Sequence, residues 1–280
     1  MNLEIPHISG LVGIGTALRT CGAVVLKGGL PSETYGSAVE ASRRLFGLDE
    51  AERMRWRSAD PFGVGYLEYG RSRAGDTGIP NLLEAWTIDL ENDAAFPTAA
   101  LPDSWETLRT FGTLLRDRCR AVVAQLDSEQ DGGGSLIQLL SPGLRTLLLL
   151  HYLPVSKAPE GSRRQSVHVD ASIVTLLPKA TTPGLTVFVD GDPLNVEIDE
   201  DDVLIMGGSA LEKATAGRIQ ACSHTVESDL DGRDRYSSVF FGQPDARRTI
   251  VPIGSTLDWE SEAVADHNRD YFARIFQDGD

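Results

Sequence analysis

Apolar residues recur at two different periods along this chain, and the change of period falls near residue 144. In the first half the spacing is mainly helical. Ala38, Ala41, Leu45 and Leu48 stand three or four apart, with Val39 and Phe46 widening the stripe, which predicts a helix over 31–48 capped by Ser32. Trp105, Leu108, Phe111, Leu115, Cys119, Val122 and Leu126 do the same over 102–130, the longest predicted helix, which the break Asp131-Gly-Gly-Gly134 ends. Shorter helices are predicted over 10–20 and 49–56, with strands over 3–8 and 23–26. Residues 58–80 are rich in Gly, Asp and Arg and read as a long loop, and 82–90 resumes an extended pattern.

From Leu144 the chain becomes a series of short β-type runs: 147–153, 167–177, 185–189, 196–198, 203–206, 224–226 and 236–241. Turn chemistry separates them at 182–184, 190–192, 199–202 and 231–232. Evenly spaced short strands of this kind predict a sandwich or jelly-roll barrel. A helix over 260–276 closes the chain. The expected organisation is one compact unit: an N-terminal α/β region (1–143) packed on a β core (144–250), then a C-terminal helix (251–280).

Composition narrows the partners. The chain has 280 residues, 41% of them hydrophobic, which is enough for a sizeable core. Its net charge of −15 speaks against nucleic acid and anionic membrane surfaces as partners, though a locally basic pocket still suits an anionic small molecule. The apolar run around 147–150 is too short to span a bilayer. Three cysteines, Cys21, Cys119 and Cys222, are far apart and in no metal-like spacing, so they read as reduced thiols. With no basic segment followed by an apolar run at the N-terminus, a cytoplasmic location is expected. The acidic turn 199–202 lacks the ligand spacing of a calcium loop and reads as a solvated hairpin tip.

His168 and Asp170 stand two apart, so on a strand both leave the same face. An imidazole and a carboxylate on one face offer two ligands to a divalent metal, and His224, in a later strand, offers a third. Two imidazoles and one carboxylate on one side of a metal suit non-haem Fe(II) with open positions. Zinc competes on ligand type alone, but a closed structural zinc site favours a Cys pair that this chain lacks. Cys222, two residues from His224, reads as a small buried hydrophobe rather than a ligand. Arg235 and Ser237 also share a face. If that face is the barrel interior, the buried guanidinium calls for an anion, and a carboxylate fits its planar fork; the competing reading is an exposed arginine after a charged turn.

Together these residues resemble a known signature. His168-x-Asp170, His224 and Arg235-x-Ser237 are similar to the motif of the isopenicillin N synthase-like branch of the 2-oxoglutarate/Fe(II)-dependent dioxygenases. Thr175-Leu176-Leu177, Pro183-Gly184-Leu185, Gly208 with Leu211-Glu212, and Thr215-x-Gly217 fall where that branch has comparable segments. Leu45-Phe46, Gly65-Tyr66 and Glu84-Ala85-Trp86 resemble its N-terminal region. The resemblance implies a double-stranded β-helix core with flanking helices. It implies iron held by His168, Asp170 and His224, and 2-oxoglutarate held by Arg235 and Ser237. With O2, decarboxylation to succinate and CO2 would accompany hydroxylation, desaturation or cyclisation of a small molecule, in keeping with specialised metabolism. The chain departs from the family at His151-Tyr152-Leu153-Pro154, where Leu153 replaces the usual tyrosine; His151 is then either a carboxylate contact or a packed strand residue. Tyr66, Tyr69, Arg71, Arg73 and Trp86 are the expected substrate contacts, because loops on a rigid scaffold carry specificity. Two alternatives stay open: an Fe(II)/O2 oxidase that dispenses with 2-oxoglutarate, and a binding barrel that has lost catalysis.

Overall fold

The computed structural model describes residues 4–60, 63–73, 78–130, 135–154, 162–227, 232–254 and 259–275. The N-terminal part runs β1 (His7–Ile8), α1 (Ile14–Cys21), β2 (Ala23–Leu26), α2 (Ser32–Phe46), α3 (Glu50–Arg55), β3 (Gly65–Leu67), β4 (Leu83–Asp89), α4 (Pro102–Ser128) and α5 (Ser135–Leu139). The strands β5 (Thr146–Tyr152), β6 (Gln165–His168), β7 (Val174–Pro178), β8 (Leu185–Val189), β9 (Asp192–Asn195) and β10 (Val203–Gly207) follow. Then come α6 (Ser209–Ala214), β11 (Ser223–Val226), β12 (Arg235–Gly242), β13 (Thr249–Ile250), β14 (Glu262–Ala263) and α7 (Val264–Ile275).

Eight strands form one sheet in the order β1-β2-β10-β7-β12-β5-β4-β3, and four form a second in the order β6-β11-β8-β9. Strands on both sides of residue 144 therefore share the large sheet: β4 pairs with β5 and β2 with β10. Alternate residues of each strand leave opposite faces, and the large sheet buries both. One set, including Leu83, Ala85, Leu177, Met206 and Val239, meets Val187 and Val226 of the small sheet in the jelly-roll interior. The other set, including Trp86, Ile88, Leu149, Leu176 and Phe240, packs on Leu45 of α2 and on Leu108, Leu115 and Val122 of α4. Burial on both faces is why β7 and β10 read as continuous apolar runs rather than alternating ones.

Several elements differ from the sequence expectation for local reasons. The run 167–177 is two strands, because the chain crosses from the small sheet to the large one at 169–173. Pro31, not Ser32, holds the N-cap position of α2, with no side-chain cap bond, whereas Asp49 does cap α3 by accepting from Glu52 N at 2.8 Å. The expected strand 196–198 is displaced to β9, which starts within the expected turn: Asp190 (φ 52°) and Gly191 (φ 91°) reverse the chain in two left-handed residues. The predicted loop 58–80 contains β3. The tip 199–202 is not wholly solvated, since Asp202 is buried, accepts from Gly28 N and pairs with Lys27 Nζ at 2.6 Å. The C-terminal helix begins at Val264, after β14. The break 131–134 with its three glycines, Asp231 of the turn 231–232, and residue 276 lie outside the described residues. Among the described residues no helix is long and apolar enough to cross a membrane.

Candidate functional site

His168 ends β6 and His224 lies on β11, directly opposite it in the antiparallel pairing. Cross-strand partners on one face are close neighbours, and the two imidazole centroids are 4.2 Å apart. Asp170 sits on the crossing between the sheets, with Oδ1 3.7 Å from His168 Nε2 and Oδ2 4.0 Å from His224 Nε2. One ligand atom from each residue lies within 4.8 Å of the others.

Backbone carbonyls set the state of both rings. His168 Nδ1 donates to Ser166 O at 2.8 Å and His224 Nδ1 to Cys222 O at 3.0 Å. A carbonyl only accepts, so each Nδ1 carries a proton, which leaves Nε2, the nitrogen turned towards Asp170, as the one able to offer a lone pair to a metal. Burial and the neighbouring His224 lower the His168 pKa to about 4, against the pull of Asp170. Asp170 Oδ2 accepts from Thr175 Oγ1 at 2.6 Å, and Thr175 meets Ser172 Oγ at 2.9 Å. The main chain holds the crossing as well: Ser209 N donates to Asp170 O at 2.7 Å and Gly208 N to Ile173 O. A side chain at Gly208 would collide with Ser172 O. Two nitrogen lone pairs and a carboxylate turned on one another repel unless a cation lies among them, so the donor set fits a divalent metal with nitrogen and oxygen ligands.

Arg235 opens β12 facing the interior and is 3% exposed, so the exposed-arginine reading fails. Its Nε donates to Thr182 O at 3.0 Å, its guanidinium lies 4.9 Å from the Tyr152 ring centroid, and its buried Nη1 has no protein partner. Burial works against its charge and lowers its pKa, with Tyr152 opposing and Arg164 adding to that effect. Such a cation gains most from an anion. Ser237, two residues on, lines the same cavity of about 400 Å³ as Arg235, Tyr152 and the metal-binding set.

The expected substrate residues do not line this cavity. On β4 it is Leu83, Ala85 and Thr87 that face it, so Glu84 and Trp86 point the other way. Trp86 and Tyr66 are buried in the helix-side core; the Tyr66 hydroxyl bonds Glu84 and accepts from Arg53 Nε at 3.3 Å. Tyr69 is 44% exposed, Arg71 pairs with Glu68 at 3.6 Å, and Arg73 donates to Gly78 O at 3.0 Å. The same alternation settles the 151–153 departure. Tyr152 faces the cavity one residue before the usual tyrosine position, and His151 faces outward as a packed strand histidine. Its ring stacks on Tyr236, with Nδ1 2.7 Å from Glu84 Oε1 and Nε2 2.7 Å from Asp234 Oδ1. Burial pushes the Glu84 carboxyl up, but its bonds to His151 and Tyr66 and the nearby Arg53 outweigh that and hold it below its usual range.

Sequence reasoning missed the anchoring role of Thr175, the stacking of Tyr152 on Arg235, and the cavity positions of Gln243 and Asn268. For Thr175 and Tyr152 a signal existed in strand parity. For Asn268 there was none, because nothing local in the C-terminal helix shows what it packs against.

Residues 145–244 match the family model of the 2OG-Fe(II) oxygenase superfamily. The chain is 30% identical to the 2-oxoglutarate-Fe(II) type oxidoreductase ppzD of Metarhizium rileyi (strain RCEF 4871), over 84% of this chain and 75% of that protein. It is 25% identical to clavatol oxidase claD of Penicillium crustosum, over 94% and 89% of the two chains. Its fold matches the crystal structure of JOX2 in complex with 2OG, Fe and JA, with a TM-score of 0.81 at 19% identity over 96% of this chain and 85% of that one.

Proposed function

Since the chain belongs to the 2OG-Fe(II) oxygenase superfamily, and so works with Fe(II), 2-oxoglutarate and O2, we propose which of its residues serve each partner and what kind of molecule it oxidises. His168 and His224 hold the iron through Nε2 and Asp170 holds it through its carboxylate. Arg235, with Ser237 beside it, takes the far carboxylate of 2-oxoglutarate. The primary substrate is a small organic molecule undergoing hydroxylation, desaturation or cyclisation, in specialised metabolism. A cavity of about 400 Å³, at the small end of ligand pockets, which run from roughly 300 to 1,000 Å³, supports a substrate of that size.

The observation that carries this reading is that a converging, cation-seeking donor set and a buried guanidinium with an unpartnered Nη1 line one cavity. Bound iron supplies the O2-dependent decarboxylation of 2-oxoglutarate to succinate and CO2 coupled to substrate oxidation. The protein's own part is positional. The two carbonyls fix the histidine tautomers, and Thr175 turns the carboxylate. Arg235 and Ser237 orient the 2-oxo acid, while leucine and valine side chains keep bulk water from the reacting centre. The test is to load the purified enzyme anaerobically with Fe(II) and titrate 2-oxoglutarate. Wild type should bind one iron and then 2-oxoglutarate, and His168→Ala should lose the iron. Full iron loading of that variant, or wild type indifferent to 2-oxoglutarate, would refute the assignment.

A further inference from the structure

Strand register divides the cavity into two ends. On β12, Arg235 faces Tyr152 of β5, and Phe241, six residues on, faces Thr175, which bonds the Asp170 carboxylate. The metal-binding set therefore lies level with Phe241, and the anion grip lies at one end beside Tyr152. β5 runs antiparallel to β12, so its opposite terminus, Thr146, is at the other end. Thr87 of β4, Gln243 just past β12 and Asn268 of α7 also line the cavity.

Among the described residues this second end carries no ionic group beyond the metal-binding set itself. Among the described residues, the charged or imidazole side chains of the lining are His168, Asp170, His224 and Arg235, all of them assigned above to iron and 2-oxoglutarate. The rest of the wall is mostly aliphatic or aromatic, with uncharged polar groups at the far end and also elsewhere, at Ser72, Gln165, Thr175 and Ser237. A charged substrate would leave water there for a lining that offers it no counter-ion. One polar atom there stands out: Asn268 Oδ1 is buried and has no hydrogen-bond partner. Its helix is tied to the metal-binding crossing, because His267 Nε2 meets Ser209 Oγ at 2.9 Å and Ser209 N donates to Asp170 O at 2.7 Å. That tie fixes Asn268 relative to the metal-binding set.

We infer that the primary substrate is an uncharged, largely apolar molecule bearing a hydroxyl group, which donates to Asn268 Oδ1 at the end of the cavity away from Arg235. This inference rests on the assignment of Arg235 to 2-oxoglutarate in the proposed function.

The experiment uses the Fe(II)-loaded, 2-oxoglutarate-saturated enzyme without O2 and measures by calorimetry the binding of four probes of one shape: para-propylphenol, para-propylbenzoate, para-propylbenzylamine and propylbenzene. The phenol should bind about ten-fold or more tighter than each of the others, the scale of one well-formed hydrogen bond. In Asn268→Leu its affinity should fall to that of propylbenzene, with 2-oxoglutarate affinity unchanged, which also shows that the variant is folded. Preference for the benzoate or the amine, failure of all four probes to bind, or an undiminished phenol preference in Asn268→Leu would overturn the inference. Wild type that does not bind 2-oxoglutarate fails the underlying assignment instead, so the two failures are distinguishable.

Discussion

Replacing Arg235 by Met should separate two properties that usually fall together, ligand affinity and the stability of the ligand-free fold. Arg235 is 3% exposed, and truncating a large buried side chain ordinarily costs ~2–5 kcal/mol. Here the loss is offset. The bond to Thr182 O and the stacking on Tyr152 disappear, but so do a desolvated charge and the unpartnered Nη1, and an unmade buried bond alone costs ~1–3 kcal/mol. Ligand-free Arg235→Met should therefore stay within about 1 kcal/mol of wild type, a few degrees of melting temperature at most. Binding is affected differently. Losing a desolvated, charge-assisted grip on a carboxylate costs ~2–5 kcal/mol, which is roughly a 30- to 4,000-fold loss of 2-oxoglutarate affinity. Melting curves with and without 2-oxoglutarate, using Fe(II)-loaded protein under nitrogen, measure both quantities. At a hundred-fold excess over Kd the wild type should gain about 2.7 kcal/mol, and the variant at the same concentration no more than about 0.9 kcal/mol, falling to nearly nothing at the larger affinity loss. A variant that collapses without ligand, or that keeps the 2-oxoglutarate gain, would refute the reasoning.

Thr175→Val keeps the shape of the side chain but removes the donor to Asp170 Oδ2, and metal competition should show iron affinity about 10- to 100-fold weaker; unchanged affinity would mean the carboxylate needs no such support. His151→Phe takes a partner from both Glu84 and Asp234, and urea unfolding should show a loss of about 2–3 kcal/mol, with a loss under about 0.5 kcal/mol counting against the bridge. Thiol alkylation of native protein at pH 8 should mark Cys21 alone. Burial pushes the fully buried Cys119 up to about 12 and raises Cys222 as well, whereas Cys21 is only part-buried. Because burial also raises Cys21, its labelling rate should keep climbing through about pH 9, and a plateau well below that pH would contradict its raised pKa.

What the sequence made legible depended on whether the signal was local. The helix over 102–130 and the strands 23–26 and 185–189 were readable because an apolar stripe or a β-branched run declares itself within a few residues. Spacing made His168 with Asp170 and Arg235 with Ser237 readable as pairs and offered His224 as a third ligand, and the resemblance joined the five into one site; Asp170, however, lies past the end of β6, so strand parity is not what turns it towards His168. Side-chain direction was the weak point. Tyr66 and Trp86 were assigned to the pocket as aromatic residues near a loop, but the parity of β3 and β4 sends them to the helices, and no local pattern says which face of a doubly buried strand is the chamber. Asp202 read as solvent-exposed because its partner, Lys27, is remote in sequence. Asn268 illustrates the same limit, since its importance comes only from where α7 comes to rest.

The alternation along β4, β5 and β12 has an evolutionary corollary. Odd and even positions face two separate compartments, one shaping what the enzyme accepts and one securing it to its helices. Drift at Leu83, Ala85, Thr87 or Leu148 can retune chemistry while leaving the scaffold's anchorage intact. Loss of a single residue within β5 has the opposite character: it would turn His151 into the chamber and Tyr152 out of it, exchanging the two inventories at once. This architecture tolerates replacement and punishes frame slippage, so descendants should diverge at these strands by substitution and change length only in the connections between them.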